Sequence, residues 1–240
     1  MKKKLIALTF AIVSIAISIP SFVFAEENTF TFRNIPWNST KTEAEQLLVS
    51  DGAQIQQAAF KDNILRLSGI NFLNTTSGSD RVDGGGIVGR YTGLKVAGYD
   101  ISEAGACYIY NLNEDGTIDR NEEDAQFYFG WYAFDSNDYA DAPGVYTDLS
   151  SKLTSLYGAG AEDTESDYFD TTTWNDNEGN VIRLLLGGKA MDEGRQYVSL
   201  GYITYDADER LDEMKEALYL EEKALEQEER EKNASNTDGL

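Results

Sequence analysis

Histidine is absent from the 240 residues, cysteine occurs once and proline three times. Without histidine there is no Ser-His-Asp or Cys-His activation of a nucleophile, and no His-containing zinc site. Any catalysis would have to run on carboxylates, lysine, tyrosine or a hard metal ion. The lone Cys107 cannot form an intramolecular disulfide. It lies in the apolar run from Ala106 to Tyr110, which predicts a buried, inert thiol. Basic residues are scarce, 20 Lys and Arg against 42 Asp and Glu, for a net charge of −22. Phosphate backbones would be repelled by such a surface, so nucleic acid is excluded as a partner. Anionic bilayers and anionic wall polymers are disfavoured for the same reason. Cations, basic proteins and neutral glycans remain, and the charge also keeps a chain in solution.

Long apolar runs are missing after residue 25, so no later segment reads as a membrane span. The first 25 residues read as a secretory signal peptide. Lys2, Lys3 and Lys4 precede an uncharged stretch from Leu5 to Ile19, Pro20 breaks it, and Val23-Phe24-Ala25 precedes the expected cleavage before Glu26. The apolar stretch is shorter than the roughly 20 residues of a bilayer span. No cysteine stands at the cleavage point for acylation, and 233–240 carries no anchor pattern. The expected product is a free chain, secreted or cell-wall associated, in a bacterium. Loss of the leader removes three lysines and no acid, which takes the charge from −22 to −25.

Along the rest of the chain, alternation over Asn28–Asn34 reads as a first strand. Thr40-Lys41-Thr42-Glu43 fits a capping box, and Ala44, Leu47 and Leu48 then share one helical face up to Asp51-Gly52. Residues 53–73 are ambiguous between helix and strand, and 74–93 read as a polar, glycine-rich loop. Leu94–Ile101, Ala106–Leu112 and Gln126–Phe134 have strand composition. A second helix is expected over Val145–Tyr157, with Tyr146, Leu149, Leu153, Leu156 and Tyr157 on one face and Gly158 at its end. Strands follow at Thr171–Trp174, Asn180–Leu186 and Gln196–Tyr205. A long helix is expected over Asp206–Lys232, with an apolar stripe of Leu211, Met214, Leu218 and Leu225 that docks on its own domain. The pattern predicts an α+β fold with antiparallel sheets and helices on one face. It divides the chain into a leader (1–25), a first half (26–140), a second half with the C-terminal helix (141–225) and a frayed acidic tail (226–240).

The stretch Ile35-Pro36-Trp37-Asn38-Ser39-Thr40-Lys41-Thr42-Glu43-Ala44-Glu45-Gln46-Leu47-Leu48 resembles the helix openings of many small secreted bacterial proteins and lipoproteins. Leu149–Gly158, ending Leu-Tyr-Gly, and Thr173-Trp174 resemble their second helix and following strand. Together these segments are similar to the helix-plus-sheet repeats of β-lactamase-inhibitor-protein-like envelope proteins. The resemblance implies binding of another protein through a sheet face, without catalysis. Asn38 stands where that pattern usually has Gly, Ala44 where it usually has Val, and no lipobox is present.

Three patterns carry candidate chemistry. Asn111, Asn113, Asp115, Thr117, Asp119 and Glu122 have the spacing of an EF-hand-type calcium loop, with oxygens at alternate positions, Gly116 at the sharp turn and Glu122 to close the shell. The flanks read as strands rather than helices, so a hairpin turning at Asp115-Gly116 is the competing reading. The run Phe127-Tyr128-Phe129-Gly130-Trp131-Tyr132 is densely aromatic. With Phe127, Phe129 and Trp131 on one face and Tyr128 and Tyr132 on the other, it is expected to be core. Tyr128, Trp131 and Tyr132 are the binding candidates if rings are exposed. Gly84, Gly86 and Gly89 fit G-x-G-x-x-G but lack a βαβ context. Carboxylates are too numerous for a glycosidase pair to be recognised from spacing. The expectation is an exported binding protein without a catalytic centre whose partner is another protein. A calcium-binding module is the alternative, and a carboxylate-based glycan hydrolase ranks behind both.

Overall fold

The computed structural model describes residues 29–56, 86–134, 141–188 and 196–235. The expected leader and most of the ambiguous stretch 53–73 lie outside the described residues. The chain is α+β, with one large antiparallel sheet and three helices among those residues. Helix α1 (Lys41–Ser50) is followed by strands β1 (Gln54–Gln56), β2 (Gly86–Thr92), β3 (Lys95–Val96), β4 (Tyr99–Ile109), β5 (Asn111–Leu112), β6 (Ile118–Asp119) and β7 (Gln126–Phe134). Helix α2 (Ala142–Tyr157) precedes β8 (Ala161–Asp163), β9 (Phe169–Asn175), β10 (Val181–Gly187) and β11 (Tyr197–Ile203). Helix α3 (Ala207–Ser235) closes the described chain.

The strand order is β1-β2-β4-β7-β11-β10-β9-β8, with β3 paired to β4 as a short hairpin. A helix and a four-strand meander therefore occur twice, and the two meanders meet where β7 pairs antiparallel with β11. The expected loop over 74–93 includes β2. Its glycines hid a strand that tertiary pairing with β4 defines. The single strand expected over Leu94–Ile101 is the β3–β4 hairpin, turned at Ala97 and Gly98.

Sequence signals place the helices. Thr40 Oγ1 accepts from the Glu43 N–H at 3.2 Å, and a Glu43 carboxylate oxygen accepts from the Thr40 N–H at 3.0 Å, which is the expected capping box. Ala44 and Leu48 are buried on the sheet, whereas Leu47 is exposed. Asp141 caps α2 through the Gly144 N–H at 2.9 Å, so the helix begins at Ala142, three residues ahead of the expected Val145. Val145, Leu149 and Leu153 are buried, and Leu156 points to solvent.

The expected first strand over Asn28–Asn34 is instead a tight turn. Arg33 and Asn34 have φ of 53° and 60°, and the Ile35 N–H donates to the Phe32 carbonyl at 3.0 Å. The turn drives Phe32 and Ile35 into the core beneath α1 and α2. Phe32 lies 4.8 Å from the Tyr132 ring centroid and 5.8 Å from that of Tyr202, so it touches both meanders. It sits directly on Gly130, where a Cβ would strike its ring. Trp37 stacks on Phe127 at 5.1 Å, and its indole N–H donates to the Phe30 carbonyl at 2.7 Å. The Phe30 N–H reaches Asp176 in the β9–β10 turn at 2.7 Å.

The helices do not all share one face. Alternation in β4 sends Ala104, Ala106 and Tyr108 toward α1 and α2, and Cys107 and Ile109 toward α3. Helix α3 therefore covers part of the opposite face, packing Ala207, Leu211, Met214 and Ala217 on Tyr128, Phe129 and Ile118.

Candidate functional site

The loop from Asn111 to Glu122 folds as the hairpin β5–β6. The Asn113 N–H donates to the Thr117 carbonyl at 2.8 Å, and Gly116 takes φ 82° at the turn. Its oxygens bind one another and the local backbone. Asp115 Oδ1 accepts from the Thr117 hydroxyl at 2.7 Å and from the Thr117 N–H at 3.0 Å, and these bonds hold the Asp115 carboxyl below its ordinary pKa. Asn113 Nδ2 donates to Thr117 Oγ1 at 2.9 Å. Asn111 donates to the Asp124 carbonyl at 2.9 Å, and Asp119 accepts from the Asn121 N–H at 3.0 Å. Among the described residues no three Asp, Glu or Cys side chains are grouped to hold a metal.

The aromatic run on β7 is core. Tyr128, Trp131 and Tyr132 are 1%, 2% and 3% exposed, so the three candidate binding residues cannot meet a ligand on this surface. Their face assignment also changes. Cys107 pairs with Phe129 but Tyr108 with Phe127, so Tyr128 is an extra residue in a β-bulge. The bulge puts Tyr128 beside Phe129 and Trp131 on the α3 face, and Phe127 beside Tyr132 and Phe134 on the other. Trp131 lies across Gly105, where a Cβ would strike its indole ring.

The buried polar groups serve the fold. The Tyr91 and Tyr108 hydroxyls are 2.8 Å apart, and Tyr91 also reaches Glu45 at 3.4 Å. Burial raises both phenols far above their ordinary range. Burial pushes Tyr132 up to about 12, partly offset by the Arg33 guanidinium. Arg33 itself bonds Asp51 at the end of α1 at 2.5 Å. The Cys107 thiol is pushed up by burial and bonds the Tyr128 hydroxyl beneath α3.

Helix α3 is exposed over much of its length. Its first half is fastened at both ends. Arg210 donates to Asn38 Oδ1 at 2.7 Å and to Gln126 Oε1 at 3.1 Å. Asn38 holds φ 65°, a left-handed conformation open to Gly and Asn. Glu221 accepts from Arg120 at 2.6 Å and from the Ile118 N–H at 3.4 Å. Desolvation lowers the Arg210 pKa, opposed by Asp206, Tyr128 and Glu213.

Beyond Glu221 the helix leaves the sheet and continues to Ser235, about 21 Å at 1.5 Å per residue. The helix runs past Leu225, where the sequence suggests fraying, as far as Ser235. Lys223–Glu226 at 3.1 Å and Arg230–Glu226 at 3.3 Å support this segment, as does Gln227 donating to Glu231 at 2.9 Å. Leu225 continues the docked stripe of Leu211, Met214 and Leu218, yet it is 66% exposed. Tyr219 and Leu220 are also exposed. From the sequence Glu221 reads only as an interruption of the apolar stripe and Arg210 carries no signal, since their partners lie far away along the chain. The overhanging helix was readable only as propensity.

No family model, no curated protein and no solved structure matches the chain. No helix among the described residues is long and apolar enough to cross a membrane.

Proposed function

We propose that this chain is an exported binding protein without a catalytic centre, which presents the second half of α3 to another protein. One observation carries the reading. Residues 222–235 are helical, yet none of the side chains from 222 to 234 is buried on the fold, while Leu225 stands exposed in register with residues that dock. A helix that is polar nearly all round and detached from its domain suits a contact outside that domain. The leader-like residues 1–25 and the absence of histidine support export and the lack of nucleophile chemistry. The engagement of buried tyrosines with one another and with Arg33 supports a structural role for them.

The test compares the full chain with a chain ending at Glu221, both used as bait in medium conditioned by the native cell. One protein is expected on the full chain and lost from the shortened one. Equal recovery on both baits sinks the proposal. So does a reproducible hydrolytic activity that a single carboxylate substitution abolishes.

A further inference from the structure

The side-chain pattern around Leu225 points to the chemistry of what it meets. On a helix surface the neighbours of a residue are those three and four positions away. For Leu225 these are Glu221, Glu222, Glu228 and Glu229, all acidic. Leu225 is therefore a single apolar side chain ringed by four glutamates, on the side of α3 that continues the docked stripe. Like charges at these spacings destabilise an isolated helix. The ring also bars a second copy of this chain, because pairing two such helices sets glutamate against glutamate.

We infer that the overhanging half of α3 docks against a basic, amphipathic helix of another protein. Leu225 enters an apolar spot on that helix, and Glu222, Glu228 and Glu229 meet flanking Lys or Arg. The inference rests on the reading of α3 as a binding element and adds the class of partner. An apolar centre with a charged rim divides the work between them. The leucine supplies short-range burial, and the glutamates supply steering and choice of partner.

The probe is a synthetic helical peptide about three heptads long, with leucines on one face and lysines beside them. A control peptide carries glutamates in place of the lysines. Binding to the full chain is followed by fluorescence anisotropy across a salt series. The lysine peptide is expected to bind, with affinity falling as salt rises, and the glutamate peptide is not. Leu225→Ala keeps the charge and, being at an exposed position, the fold. It is expected to weaken the lysine peptide about tenfold, the loss of one buried leucine. Glu222→Gln with Glu229→Gln is expected to weaken binding at low salt and to flatten the salt dependence.

If Leu225→Ala binds the lysine peptide as tightly as the unaltered chain, the contact is diffuse charge and the inference fails. It also fails if neither peptide binds or if the glutamate peptide binds equally. Recovery of a neutral or acidic partner that needs residues beyond Glu221 would overturn the basic-partner inference and leave the binding reading standing.

Discussion

Replacing Phe32 with alanine removes the ring on which both meanders converge. Phe32 is fully buried, 4.8 Å from Tyr132, 5.8 Å from Tyr202 and 5.9 Å from Phe127. Truncating a buried phenylalanine costs about 3–5 kcal/mol. Whole domains are stable by only about 5–15 kcal/mol, so a large fraction of the total is at stake. The same geometry predicts a coupling. Gly130→Ala alone drives a methyl into the Phe32 ring and costs about 1–3 kcal/mol through overpacking. In the Phe32→Ala background that methyl enters the vacated space, and its penalty should fall by about 1 kcal/mol or more. Urea unfolding of the wild type, both single variants and the double variant closes the cycle. Additivity within about 0.5 kcal/mol would refute the placement of Phe32 on Gly130. A Phe32→Ala cost under about 1 kcal/mol would refute its role as the link between meanders.

Asp176→Ala frees the Phe30, Glu178 and Asn180 N–H groups that its carboxylate accepts, and should cost about 1–3 kcal/mol in the same assay. Met214→Ala, beneath the docked half of α3, should cost about 2–5 kcal/mol, whereas deleting 222–240 should leave the melting midpoint in place. Cys107 should resist a thiol reagent near neutral pH until the chain unfolds, because it is buried and its pKa is raised. Tyr132, pushed to about 12 in the fold, favours the neutral phenol more than the unfolded chain does, with its value of about 10. Its contribution is intact below about pH 10 and lost as pH climbs toward 12, so urea stability should drop across that window. A flat profile there would contradict its burial. Millimolar calcium should leave melting unchanged, and a rise that Asp115→Ala abolishes would return Asn111–Glu122 to the list of cation sites.

Local chemistry was legible wherever a short stretch settles its own structure. Thr40 and Glu43 announce α1, and Asp115-Gly116 announces a hairpin whose flanks already argued against an EF-hand. Binary pattern placed Leu211, Met214 and Leu218 on the docked side of α3. The remainder depended on partners distant in sequence. β2 is a strand because β4 pairs with it, although its glycines read as loop. The order of faces on β7 turned on the bulge at Tyr128, which alternation alone cannot register. Arg33-Asn34 broke an alternating run because both residues adopt positive φ. The sequence suggested fraying past Leu225 because the apolar stripe ends there, yet pairs such as Glu226–Arg230 sustain the helix without any core.

The claim that α3 is a binding element is tested most directly by a photoreactive leucine analogue at Leu225, with a matched one at Leu156 on α2. Both positions are exposed, Leu225 at 66% and Leu156 at 65%. On irradiation among the proteins of the native cell and its medium, the account predicts a covalent adduct with a second protein from position 225 and none from position 156. Adducts from both positions alike, or from neither, would contradict it.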